Sequence, residues 1–145
     1  MARAGYAVTA LDIRLDALRT LRASADAEHL SIHTACVDLT HQPLPHDRYD
    51  LIVVTRYLDR TLFPALQAAL REGGLLLYET FMLGNERFGK PSNPEFLLRS
   101  HELIERVAGA CTILAYEQGE VSEPKPAVIQ RICAVKGHNP VVRLP

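Results

Sequence analysis

Two unbroken apolar runs constrain this 145-residue chain more than anything else in it: "LIVV" within "YDLIVV", at residues 51–54, and "LLLYE", at residues 75–79. Each has the length of a strand, and an apolar run without alternation needs cover on both faces, as in a parallel sheet flanked by helices. Between them, "TLFPALQAALREGG" places Leu62, Leu66, Ala69 and Leu70 on one helical face. Pro64 is tolerable in the first turn, and Gly73 and Gly74 suit the stop. Strand, helix and strand in this order form the repeating unit of an α/β sheet.

The rest of the chain extends the alternation. Tyr6 to Leu11 reads as a strand running up to Asp12, and Leu15, Leu18, Leu21 and Ala25 then recur at helical spacing to about Ala27. "LSIHTACVDL" alternates Leu30, Ile32, Thr34 and Cys36 as a strand and gives way to the Pro-rich turn "THQPLPHD". After the "LLLYE" strand comes "TFMLGNERFGKPSNPEF", a loop longer than a simple connection needs. Gly84 and Gly89 offer hinges, and Phe81, Met82 and Phe88 offer apolar cover, so the segment reads as a lid. Ser100 is placed to cap a helix that buries Leu103, Ile104, Val107 and Ala108. "CTILAYEQG" and "AVIQRICAVKG" follow as two strands with no helical pattern between them, only a polar connection with Pro124 and Pro126, and so form an antiparallel closing pair. One domain over residues 1–137, with a tail at 138–145, accounts for the chain.

Composition narrows the partners. With 48% hydrophobic and 23% charged residues the chain is an ordinary globular one, and its net charge of −1 leaves no basic field for nucleic acid or an acidic membrane surface. No window approaches a membrane span, and no targeting segment opens the chain, so the expected location is cytoplasmic. Cys36, Cys111 and Cys133 are widely spaced in apolar surroundings and read as reduced, buried thiols. His29, His33, His41 and His46 lie close in sequence around Cys36, yet without an HxxxH or CxxC pattern they read as surface histidines and no metal is expected.

Ligands of open α/β sheets bind at the carboxyl ends of the parallel strands, which directs attention to Asp12, Asp38, Thr55 to Tyr57 and Glu79 to Phe81. The blocks "ARAGYAVTALDI", "VDLTHQPLP", "YDLIVVTRYL" and "LREGGLLLYET", in this order and spacing, resemble successive blocks of class I S-adenosylmethionine-dependent methyltransferases, particularly small-molecule members of the tellurite-resistance-like type. The resemblance covers nearly the whole chain. It implies a Rossmann-like α/β methyltransferase sheet with helices on both faces and a C-terminal antiparallel strand pair. It also implies that the family's first strand, its GxGxG turn and most of its first helix are missing, with Ala2 to Gly5 as that helix's last turn. A sheet without its central first strand leaves unpaired edges on its neighbours, through which the chain is expected to associate with itself.

The resemblance further implies S-adenosylmethionine as cofactor and assigns residues to it. Asp12, with Ile13 beside it, matches the acidic residue whose carboxylate accepts from both ribose hydroxyls, although many members carry a small hydroxyl residue where this chain has Arg14. The local alternative is a carboxylate that caps the following helix. Asp38 and Leu39 match the pair beside the adenine, against a purely structural role for Asp38 in the turn. Thr55, Arg56 and Tyr57 match the positions near cofactor and substrate, with the Tyr57 ring over the cationic sulfonium or, alternatively, packed with Leu58 against the next helix. On the substrate side stand Glu79, Thr80 and Phe81 after the fifth family strand, and Arg87 and Phe88 in the long loop. The expected function is methyl transfer to a small-molecule acceptor, in which positioning carries most of the rate and no nucleophile is needed. Two alternatives stay open: a non-catalytic remnant serving as a binding or oligomerisation module, and a nicotinamide-dinucleotide domain, which the antiparallel final pair disfavours.

Overall fold

The structure, a computed structural model, describes residues 1–137; the tail expected at 138–145 lies outside the described residues. The chain divides at the Pro-rich turn into two compact units, Met1–Pro43 and Leu44–Pro145.

The first unit is a strand–helix–strand crossover: β1 (Val8–Asp12), α1 (Leu15–Ala27) and β2 (Ile32–Cys36). The strands pair in parallel, from Val8 opposite Ile32 to Asp12 opposite Cys36. The apolar stripe of α1 buries Leu18 and Ala25, and Asp16 in its first turn suits the positive end of the helix dipole. Ahead of β1, Ala2–Ala4 forms a short 3-10 turn that ends on Gly5 at φ 85°, where a side chain would be strained. Arg3 reaches across to grip Glu28 through two hydrogen bonds of 2.6 and 2.5 Å.

The second unit holds β3 (Tyr49–Thr55), α2 (Phe63–Ala69), β4 (Leu70–Phe81), α3 (Glu102–Val107), β5 (Cys111–Val121) and β6 (Ala127–Lys136). Its sheet runs β3-β4-β6-β5. β3 and β4 are parallel, whereas β6 pairs antiparallel with β4 on one side and with β5 on the other. The expected closing pair is therefore present, with β6 inserted next to β4. Helix α2 packs on β4, and α3 on β5 and β6. Phe63, Leu66, Leu103 and Val107 from the helices meet Leu76, Tyr78, Ile132 and Ala134 from the strands, all buried. Each buried Leu side chain contributes on the order of 2 kcal/mol.

Period-two alternation sends the other residues of the same strands to the opposite face. There Val53 and Leu77, in register with each other, remain 48% and 37% exposed, on the face opposite the one where α2 and α3 pack. Among the described residues β1 and β3 each have a strand neighbour on one side only.

Several local expectations need correction. Helix α2 stops at Ala69, well before Gly73, because Leu70 turns extended (φ −70°, ψ 142°) and pairs with Tyr49. The carbonyls at the helix end are taken by Asp47 N and Arg48 N, which donate to Ala68 O and Ala69 O at 2.9 and 2.8 Å. The residues Arg71–Gly74 then make an irregularity inside β4, so tight that a Cβ on Gly74 would lie 2.8 Å from Arg71 O. Ser100 does not cap α3: its N-cap residue is His101, and the carboxylate of Glu102 accepts from Arg99 N at 2.9 Å instead. Of the cysteines, Cys111 is buried and Cys133 half-buried, but Cys36 is exposed, because β2 has a single strand neighbour and places Cys36 at its end. Among the described residues no helix is long and apolar enough to cross a membrane.

Candidate functional site

In the first unit the candidate residues cluster at the carboxyl ends of β1 and β2. Asp12 closes β1, and its Oδ1 accepts from Arg14 N at 2.8 Å. One oxygen thus fixes the entry to α1, as the local alternative holds, while Oδ2 accepts no hydrogen bond among the described residues. Ile13 next to it is 64% exposed, and its carbonyl receives the Cys36 thiol at 3.4 Å. A carboxylate oxygen without a local partner beside an exposed apolar side chain can accept from a hydroxyl of a bound molecule whose apolar part rests on Ile13.

Asp38 is committed locally. Its Oδ1 accepts from Thr40 N at 3.0 Å and from the Thr40 hydroxyl at 2.6 Å, and its Oδ2 lies 2.9 Å from His41 Nδ1. The Thr40 hydroxyl, then the Thr40 amide and His41, hold the Asp38 carboxyl below its ordinary range. Both oxygens have a partner in the turn, and Leu39 beside it is half-buried.

In the second unit the carboxyl end of β3 leads into Arg56, whose backbone is left-handed at φ 54° and whose amide donates to Glu79 O at 2.9 Å. A non-glycine residue held there stores strain of the kind found at ligand sites. The next residue is pinned from below: the Tyr78 hydroxyl donates to Tyr57 O at 2.8 Å, its ring stacked on Phe63 at 5.0 Å. Burial pushes the Tyr78 hydroxyl's pKa up, so it remains a donor. Tyr78→Phe keeps the packing and removes the bond, and urea denaturation should register a loss of about 1 kcal/mol. An unchanged midpoint would mean that Tyr57 is held by other contacts.

Arg56 and the end of β4, Glu79, Thr80 and Phe81, line a cavity of about 160 Å³ with the β5–β6 connection. Thr80, Ala127 and Ile129, all buried, form its floor, and Glu123, Lys125 and Arg131 reach its mouth. Arg131 bridges two carboxylates: it donates through Nε to Glu117 and lies 3.8 Å from Glu79. The cavity unites Arg56, Glu79, Thr80 and Phe81 among the expected site residues. Thr55 lies outside it on the open sheet face with Val53 and Leu77, and Tyr57, Arg87 and Phe88 do not line it.

The long segment after β4 is also built differently from a hinged lid. Asn85–Phe88 and Pro94–Phe96 are 3-10 turns, and Asn85 in the middle is buried, accepting from Val128 N at 3.1 Å and donating to Pro91 O. Met82 N and Leu83 N donate to Val128 O and Leu98 O. Arg87 pairs with Glu120 and covers the Phe88 ring at 4.8 Å, both on the outside of the molecule. Residues 86–90 and 92–96 are exposed, whereas the base is fastened to β6.

Sequence reasoning missed Glu123, Lys125 and Arg131 at the cavity, together with Asn85 and Gln130 beneath the long segment. A readable signal existed for Gln130, a polar residue at an inward position of the alternating "AVIQRICAV", and register alone places Arg131 opposite both Glu79 and Glu117.

A sequence model of the family described as a methyltransferase domain matches residues 1–77, more than half of the chain. The chain belongs to this methyltransferase family. A comparison with curated proteins finds no match. Among solved structures, an S-adenosylmethionine-dependent methyltransferase from Methanosarcina mazei superposes with a TM-score of 0.74 at 16% identity, over 93% of this chain and 84% of that one. TehB from Haemophilus influenzae gives 0.74 at 21% identity over 94% of this chain, which spans about half (52%) of TehB. The N-methyltransferase NodS from Bradyrhizobium japonicum WM9, in complex with S-adenosyl-L-homocysteine, gives 0.67 at 20% identity over 91% and 67%. These likenesses establish the Rossmann-like methyltransferase fold for the chain.

Proposed function

We propose that this chain transfers a methyl group from S-adenosylmethionine to a small-molecule acceptor that enters the Arg56 cavity. The observation that carries the reading is the position and size of that cavity. It opens at the carboxyl ends of the parallel strands β3 and β4, where α/β sheets bind ligands, and its 160 Å³ falls below the roughly 300–1,000 Å³ of drug-sized sites.

S-adenosylmethionine, when bound, supplies the electrophilic methyl group. The residues of the chain then have to bind and orient. The free Oδ2 of Asp12 would accept from the ribose and Ile13 and Leu39 would cover the adenine, while in the second unit the Arg56 turn would hold the acceptor; methyl transfer is a step that positioning accelerates. Titration calorimetry with S-adenosylhomocysteine tests the donor side: Asp12→Ala should weaken binding by about 1.5–3 kcal/mol, or about tenfold to a hundredfold. Unchanged affinity would confine Asp12 to the turn into α1.

The open edge of β3 and the exposure of Val53 and Leu77 favour a second reading, association of the chain with itself through unpaired strands. Light scattering on a size-exclusion column separates a monomer from such an assembly.

A further inference from the structure

Two cations at the Arg56 cavity stand outside its ion pairs. Three cations line it, Arg56, Lys125 and Arg131, against two carboxylates, Glu79 and Glu123. Arg131 is already spent on Glu117 and Glu79, whereas Arg56 and Lys125 make no ion pair among the described residues. A guanidinium offers a planar fork of donors that matches a carboxylate, and an ammonium adds a point charge beside it. Below this cationic mouth the wall is apolar: Phe81, Val121 and Ile129 line the cavity, with Ile129 8% exposed. Arg56 is also the residue whose backbone is held left-handed at φ 54° directly after β3.

We propose that the cavity selects a small organic acid, its carboxylate held by Arg56 and Lys125 and its apolar body seated on Phe81 and Ile129. This rests on the reading of the cavity as the acceptor site and names the acceptor's chemical class. The assignment concerns recognition of the carboxylate, wherever on the acid the methyl is placed.

Benzoate and its neutral isostere benzamide serve as probes, with binding followed by ligand-observed NMR on the full chain. Benzoate should bind at least tenfold more tightly than benzamide, and the preference should fall at high salt. Arg56→Asn, whose side chain tolerates the left-handed backbone, and Lys125→Met should each cut benzoate affinity about tenfold, with benzamide unaffected and thermal unfolding within a degree or two of the parent. Equal binding of the two probes would overturn the proposal, as would benzoate affinity indifferent to both substitutions. Methyl transfer from labelled S-adenosylmethionine is measured separately, over a panel of acids and neutral analogues. Transfer to neutral acceptors alone would sink the acid assignment and leave the methyltransferase reading standing. Arg56-dependent benzoate binding without any transfer would do the reverse.

Discussion

Glu102→Gln should lower the stability of the second unit by about 3 kcal/mol at pH 7, the low end of the cost of breaking a buried ion pair from one side. The Glu102 side chain is fully buried and accepts four hydrogen bonds: from Arg60 Nε at 2.7 Å and Nη2 at 3.1 Å, from Arg99 N at 2.9 Å, and from Arg106 at 3.2 Å. Arg60 in turn donates to Glu95 O and Leu97 O at 2.7 and 2.9 Å. One carboxylate therefore ties the loop after β3, the base of the long segment and the start of α3 to each other, and a neutral amide would leave the guanidinium short of its counter-charge. Burial pushes the Glu102 pKa up, but the hydrogen bonds from Arg60 and Arg99 N outweigh it and hold the group down at about 2. A depressed folded pKa contributes stability that is fully present above the unfolded value near 4.5. That contribution, about 3 kcal/mol, is lost as pH falls from about 5 towards 2. Urea titrations of parent and variant across this window should show the difference between the two shrinking as pH falls, because the other carboxylates titrate in both. A variant as stable as the parent at pH 7 would mean that desolvation cancels the ion pairs.

The elements that sequence alone located are those whose cause is local. The helical spacing of Leu15, Leu18, Leu21 and Ala25 places α1 at Leu15–Ala27, and the apolar runs place β3 and β4, because period and burial are properties of neighbours in the chain. The end of α2 was not legible. Leu70 continues the helical stripe in sequence, and only its pairing with Tyr49, more than twenty residues earlier, draws it into the sheet. The same division runs through the site. Asp12 ends one strand and Arg56 follows another, positions that the topology rule marks out in sequence. Lys125 and Arg131 reach the cavity through the antiparallel return of β6, a pairing whose register no local pattern states. Asp38 shows the local alternative realised: its carboxylate has partners at Thr40 and His41, as a turn-forming Asp does.

The long segment gives the second large expected effect. Gln130 is fully buried, its Oε1 accepting from Leu103 N at 3.1 Å and its Nε2 donating to Arg99 O and facing the Met82 sulfur. It joins β6 to the start of α3 and to the segment's first residue. Gln130→Leu conserves volume and adds apolar contact, yet leaves the Leu103 amide and the Arg99 carbonyl without this partner, each at a cost of about 1–3 kcal/mol. A net loss of about 2 kcal/mol is expected at pH 7. Amide hydrogen exchange should quicken at Leu103 and not in β3, which separates a lost anchor from general unfolding. Gln130→Glu sharpens the test by its sign. Ionised, the carboxylate accepts from Leu103 N but repels Arg99 O; protonated, it restores the donor. Burial and that carbonyl both favour the acid form and raise its folded pKa, so this variant should gain stability relative to the parent as pH falls from 7 towards 5. The Glu102 carboxylate of the parent works in the opposite direction at lower pH. A Gln130→Glu profile parallel to the parent's would place the side chain in water, and the long segment would then be a movable lid after all.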